Sequence, residues 1–261
     1  MWFFFASLTA FFEACKDATG KQSLKTLDEY SVLFSFMAVG VLLMLPILWL
    51  SGGIPTIKPN FWWALLIGGS LNILAFTLYV RAIKIADLSL TVPLVTLTPL
   101  FLLVTSPLIV HEQPTPADAI GVILLVIGSY VLNLKTPTLQ SPTSQGPLGP
   151  LLAMVRNPGS RLMLCVAFIW SITSNFDKIG VVNSSPLFWA LSLFTVIAGG
   201  MIPFVFWRRS SGGIEPLLLQ WRLLGVTGGF NAIAITFQML ALTMAPVAQV
   251  IAVKRMSALL S

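Results

Sequence analysis

Charge is what this 261-residue chain lacks most: 9% of its residues are Asp, Glu, Lys or Arg, against 56% that are hydrophobic. Soluble domains carry about a quarter charged residues. Together with a mean hydropathy of +0.90, the scarcity excludes a soluble globular domain and leaves a polytopic membrane protein. Cysteine is nearly absent. Cys15 and Cys165 lie in apolar segments without the CxxC or Cys/His spacing of a zinc or redox site, and both read as small core residues. The single histidine, His111, precedes Glu112, Gln113 and Pro114, so it does not begin the HExxH helix of a zinc protease and reads with Glu112 as a polar cap at the membrane interface. Walker loops, nucleophile elbows and GxGxxG turns are missing as well. No cofactor, no metal and no enzymatic activity are therefore expected. A net charge of +6 does not by itself point to nucleic acid, because the basic residues stand singly beside apolar spans, where they anchor headgroups and set topology.

What the chain has in abundance is long uncharged intervals, and about 20 apolar residues suffice to cross a bilayer. They predict nine helices, near residues 2–20, 30–51, 61–80, 88–110, 116–134, 162–182, 186–207, 218–241 and from 246 to the end. Turn residues mark most boundaries, among them Gly52-Gly53, Pro114, Pro116, Pro186, Gly212-Gly213 and Pro246. The N-terminus has no basic region and no cleavage site, so it reads as a retained first helix. Between the fifth and sixth helices the composition turns rich in Pro, Ser and Gly, which predicts a surface linker over residues 136–160. It separates a first unit, residues 1–135, from a second, residues 161–261.

The two units repeat each other. The stretch from Asn72 to Glu112 returns 159 positions later, with Asn72 on Asn231, Tyr79 on Gln238, Ala82 on Ala241, Ala86 on Ala245 and Leu100 on Leu259. A unit of five crossings is odd, so the second copy must traverse the membrane in the opposite sense. The fold class expected is thus an all-α membrane protein of two inverted five-helix repeats, the second incomplete. The second unit holds four helices and stops inside an apolar run, so a tenth helix is expected beyond Ser261. Two helices with Tyr79, Ala82 and Ile83 closing the first, and Pro99, Leu100 and Glu112 on the second, resemble the EamA-type repeat of the drug/metabolite transporter superfamily. The second copy has Ala258 where the first has Pro99. Trp170 through Lys178 to Ser185-Pro186 resembles the start of such a repeat. The resemblance implies ten helices, secondary transport and termini in the cytoplasm. The charge distribution disagrees on the last point. Ten basic residues, from Lys21 and Lys25 to Arg209 and Arg222, fall in odd-numbered connections and only Lys58 in the even ones, which places the N-terminus outside.

Ionisable groups inside spans are the sharpest candidates for function, since a charge at a helix centre costs on the order of 3 kcal/mol even on the most lenient scale. Glu13, Lys16 and Asp17 share one helix face by their spacing, and Asp177 with Lys178 occupies the corresponding place in the second repeat. Lys254 and Arg255 lie about 12 Å into the last helix at 1.5 Å per residue. One of them is expected to face a polar cavity and to meet Glu13, Asp17 or Asp177. Asn72, Tyr79, Asn231 and Gln238 could line the same cavity, although Asn and Gln also glue helices together. Charges toward helix ends, as at Lys16 and Lys178, could equally reach the interface along their stems. Kinks at Pro93 and Pro99, with Thr91, Thr96 and Thr98 satisfying the freed carbonyls, are candidate hinges.

The reading that follows is a secondary transporter in a bacterial-type cytoplasmic membrane. Its partners are the lipid bilayer and a small polar or amphipathic metabolite, with coupling to protons or to exchange and without nucleic acid. The alternative is a non-transporting membrane scaffold, whose buried charges would all be consumed in pairs.

Overall fold

The computed structural model describes residues 1–25, 27–85, 94–133, 157–207 and 219–259. Among them the chain is helical: α1 Trp2–Ser23, α2 Glu29–Leu50, α3 Asn60–Ile85, α4 Thr98–Ile109, α5 Pro116–Asn133, α6 Pro158–Val182, α7 Pro186–Trp207, α8 Trp221–Met244 and α9 Val247–Arg255, followed by a 3₁₀ turn, Met256–Leu259. Five of them, α2, α3, α6, α7 and α8, are long and apolar enough to cross a membrane. The protein is an all-α integral membrane protein. Its outward faces carry bare apolar side chains such as Leu42, Leu66, Leu108 and Leu124, a surface suited to lipid tails. Exposed tryptophans cluster at helix ends, with Trp49, Trp62 and Trp63 on one side and Trp221 on the other, as expected of interfacial belts.

Nine helices are described, as expected, although among the described residues only five are long and apolar enough to cross a membrane by that measure, and several boundaries differ from expectation. The cause is visible in three of the others: α1 carries Glu13, Lys16 and Asp17, and α4 and α9 have only 12 and 9 residues. Of the fourth expected helix, residues 88–93 lie outside the described residues, Leu94 and Val95 are helical, and after a turn at Thr96 and Leu97 helix α4 runs from Thr98 with Pro99 in its first turn, where a missing N–H costs nothing. Pro99 thus follows a break between two helical stretches, and the proline inside α4 is Pro107. Pro93 and Thr91 lie outside the described residues, as do residues 136–156 of the linker. Helix α6 starts at Pro158, ahead of the expected 162, since Asn157 caps it by accepting from the N–H groups of Gly159 and Ser160. Cys165 is exposed on the outer face of α6, while Cys15 is half-buried.

Pairwise packing fixes the relative sense of the helices. Phe5 stacks on Phe237 and Phe12 on Phe230, so α1 and α8 run antiparallel. Tyr79 meets Trp170 while Gly68 abuts Phe176, so α3 and α6 are antiparallel too. Tyr30 stacks on Phe204 and Gly40 faces Phe194, giving the same sense to α2 and α7. By contrast α3 runs with α7, through Gly69–Val196 and Ile73–Gly200, and α2 runs with α8, through Val39–Gly228. Chaining these relations makes α1 antiparallel to α2, and α2 antiparallel to α3. Each of α6, α7 and α8 then opposes its counterpart α1, α2 and α3. The α4/α9 pair obeys the same rule, Thr98 meeting Arg255 at one end and Glu112 meeting Val247 at the other. Exchanging α1–α4 with α6–α9 maps the α1–α8 contact onto the α6–α3 contact, and the α4–α6 contact onto the α9–α1 contact. The halves are inverted copies.

Close approach at the seam needs small residues. A side chain at Gly180 would strike the indole of Trp189, and one at Gly200 would strike Ile73. Trp189 is 0% exposed and anchors the core with Phe61, Met201 and Leu242.

Candidate functional site

Side chains from both repeats converge where α1, α8 and α9 meet α3, α4 and α6. On α1, the i, i+3 spacing brings the Lys16 ammonium 2.6 Å from Glu13 Oε1, and the neighbouring Asp17 carboxylate lies 3.5 Å from the same ammonium. From the last turn of α9, Lys254 Nζ donates to Gln238 Oε1 of α8 at 2.7 Å and lies 3.7 Å from Glu13 Oε2. Glu13 thus stands between two ammonium groups, one from each repeat. Breaking such an arrangement from one side strands a charge in a region of low dielectric, whereas the intact group satisfies its members.

Arg255 behaves differently from its neighbour. The 100° turn between adjacent helix residues sends its guanidinium to the opposite wall, where it lies 5.2 Å from the ring centre of Trp170 and donates to Thr98 Oγ1 at 3.3 Å. Among the described residues no carboxylate comes within ion-pair distance of it, and its buried Nε has no hydrogen-bond partner. Trp170 is also flanked by Tyr79 and Phe76, with ring centres 5.6 and 5.9 Å away. The cluster therefore sets three cations, Lys16, Lys254 and Arg255, against the carboxylates of Glu13 and Asp17, with buried Asp177 within electrostatic reach of Lys254 at its edge.

A second polar centre sits at the break between α8 and α9. Ala245, forced extended by the following proline, has a carbonyl outside the helical ladder, and Val247 presents an unpaired first-turn N–H. Lys178 of α6 donates to that carbonyl at 2.9 Å, while Glu112 accepts from Val247 N–H at 2.7 Å. Lys178 and Glu112 also lie 3.2 Å from each other. The chain reaches this position because His111, at φ 58°, turns sharply after α4. Nearby, Gln249 donates to Asp118 at 2.8 Å and the Lys58 N–H to the Asn183 carbonyl at 3.0 Å. All of these contacts except that of Lys178 with Ala245, which lies within the second repeat, join one repeat to the other on the face that carries the connections after α2, α4, α6 and α8. A cavity of about 360 Å³ also lies on this face, lined by Ser51, Pro55, Ser185, Leu187, Thr236 and others, with no charged side chain.

Of the residues singled out from sequence, Glu13, Lys16, Asp17, Tyr79, Gln238, Lys254 and Arg255 are brought together. Asp177, which accepts from Trp189 Nε1 at 3.0 Å and holds that indole against Gly180, lies at the edge of the cluster within electrostatic reach of Lys254. Three are not. Lys178 is committed to Glu112 and Ala245. Asn72 is buried and donates back to Gly68 O of its own helix at 2.9 Å, and Asn231 Nδ2 is buried with no partner among the described residues. Sequence reasoning passed over Trp170, Thr98 and Glu112 as site members. Glu112 caps α9 of the other repeat instead of its own interface. The signal for it was Lys178, an intramembrane cation that required a carboxylate. Among the described residues no group of His, Cys, Asp and Glu could hold a metal ion.

Comparison with known proteins adds three findings. The family model described as "EamA-like transporter family" matches residues 1–134. No curated protein matches the chain. A crystal structure of a protein 17% identical in sequence superposes with a TM-score of 0.69, covering 98% of this chain and 86% of the other, and so shares its fold.

Proposed function

The chain belongs to the EamA-like transporter family and is a membrane transporter of the drug/metabolite type; from that premise we propose that it moves a small polar or amphipathic metabolite by alternating access. The observation that carries this reading is the five-charge cluster shared between inverted repeats. Glu13, Lys16 and Asp17 come from the first and Lys254 and Arg255 from the second. Inverted repeats supply two mirror-related arrangements of the same contacts, and a site between them faces each side in turn. The polar bridges through Glu112, Lys178, Asp118 and Asn183 close one face in this arrangement. Opening that face requires them to break.

Arg255, whose direct contacts among the described residues are Thr98 and the Trp170 ring and include no ion pair, favours transport over a scaffold, whose buried charges should all be paired. Glu13 joined to both Lys16 and Lys254 can release one ammonium when a proton or substrate arrives, which suits a coupling group. By the same reading the membrane is a bacterial cytoplasmic membrane, and the drive is a proton gradient or exchange. The test is counterflow in proteoliposomes against a panel of anionic, neutral and cationic metabolites. Accelerated exchange of at least one solute, lost in Glu13→Gln, supports the proposal; absence of exchange for every solute overturns it.

A further inference from the structure

We infer that the cavity of about 360 Å³ is a second binding site, separate from the charged cluster, for a small neutral alcohol with an aliphatic body that enters from the membrane interface. Its walls come from both repeats. Leu48, Ser51 and the turn after α2 belong to the first, and the turn into α7 with Thr236 and Leu240 of α8 to the second. The turn after α2 holds Gly52 and Gly53 at φ 109° and 80°, a conformation that other residues adopt only with strain. Nothing lies within 4 Å of where a side chain would begin at either glycine, so the wall on this side is bare backbone. Ile54, which follows, is 72% exposed, and Trp49 and Leu50 beside the turn are exposed as well, which sets the mouth at the level of the lipid headgroups.

The lining selects the ligand. Among the described residues it has no charged side chain, so an ion would lose its hydration there without meeting a counter-charge. Ser51 Oγ donates to the Leu48 carbonyl at 3.0 Å, and Thr236 Oγ1 donates to the Ala232 carbonyl at 2.8 Å. Each hydroxyl has thereby committed its one hydrogen and offers the cavity lone pairs, which accept the O–H of an alcohol and gain nothing from an ether oxygen. Leu48, Leu187 and Leu240 supply the apolar surface for a chain. At the ~30 Å³ that a water molecule occupies in the liquid, the space holds about a dozen non-hydrogen atoms, enough for a medium-chain alcohol and too few for a phospholipid. An occupant would touch α2 and α8 at once, one from each repeat, and so favour the arrangement in which these walls stand together.

Photolabelling of the purified full chain in phosphatidylcholine nanodiscs with 3-azioctanol, read by peptide mass spectrometry, tests the inference. Adducts should concentrate on Ile54, Leu187 and Leu240, saturate with probe, and fall about tenfold with excess 1-octanol. Octylammonium and methyl octyl ether, at matched membrane concentrations, should compete about tenfold less well, the first for its charge and the second for its missing hydrogen. Thr236→Phe, which fills the space, should remove the labelling of Ile54 and Leu187. Ile54→Trp, which fills it from an exposed position that the fold does not depend on, should remove the labelling of Leu187 and Leu240. Adducts as frequent on lipid-facing Leu66 and Leu124 as in the cavity and not displaced by octanol, equal competition by either analogue, or labelling unchanged in both variants would overturn the inference.

Discussion

Replacing Glu112 by Gln should unlatch one face of the protein. The wild-type carboxylate accepts from Val247 N–H at 2.7 Å and faces the Lys178 ammonium at 3.2 Å, with side chains 22% and 17% exposed. Glutamine keeps one acceptor for Val247 but turns an amide donor or a neutral oxygen toward Lys178. What is lost is one charge-assisted contact, about 1.5–3 kcal/mol in a dry setting. Partial exposure pulls the value toward the lower part of that range, about 2 kcal/mol. At 1.4 kcal/mol per decade this shifts the balance between closed and open forms of the face by roughly thirtyfold. Spin labels at Ile54 in the first repeat and Met244 in the second, both exposed, report the separation by pulsed dipolar spectroscopy. Glu112→Gln and Lys178→Gln should each widen the distance distribution, and the double variant should add little to either, since both remove one shared contact. Unchanged distances, or two fully additive effects, would refute the clasp.

Glu13→Gln removes the carboxylate that stands between Lys16 and Lys254, and should lower stability by about 3–5 kcal/mol; adding Lys254→Gln should restore more than half of the lost melting temperature, and equal melting of the two variants would contradict the pairing. Gly180→Val drives a side chain into Trp189 and should abolish monodisperse protein on size-exclusion chromatography, whereas the same change at Gly121, which faces open space, should be tolerated. Asp177→Asn retains an acceptor for the Trp189 indole and should leave solute affinity in counterflow within a factor of about three, on the order of 0.7 kcal/mol; loss of that affinity would move Asp177 from the edge of the charged cluster to its centre.

The helical membrane class was legible from composition alone, and the inverted sense of the halves from the odd number of crossings in one repeat. Both follow from one-dimensional constraints, namely hydrophobic length and parity. The charged cluster was partly legible because an intramembrane charge is costly wherever it occurs, and Glu13, Lys16, Asp17, Lys254 and Arg255 stood out on that ground. Their partners were harder to find. Trp170 and Thr98 are ordinary residues in membrane helices, and only packing of α4 and α6 against the end of α9 gives them a cation to receive. Asp177 was legible by its spacing, which matched Asp17, but its bond to an indole twelve residues later was not. Glu112 looked interfacial by position, and its role depends on His111 turning the chain toward α9, which periodicity does not encode.

Side-specific labelling of the cluster tests the central claim most directly. With Cys15 and Cys165 replaced by Ala, a cysteine at Asp17, whose side chain is 43% exposed, is offered a membrane-impermeant maleimide from one face of sealed vesicles and then from the other. Alternating access predicts modification from both faces. Adding Glu112→Gln, which unlatches the face that carries Glu112 and Lys178, should accelerate the reaction from that side. Modification from one face only, at a rate indifferent to Glu112, would contradict the account and leave a static helical scaffold in its place.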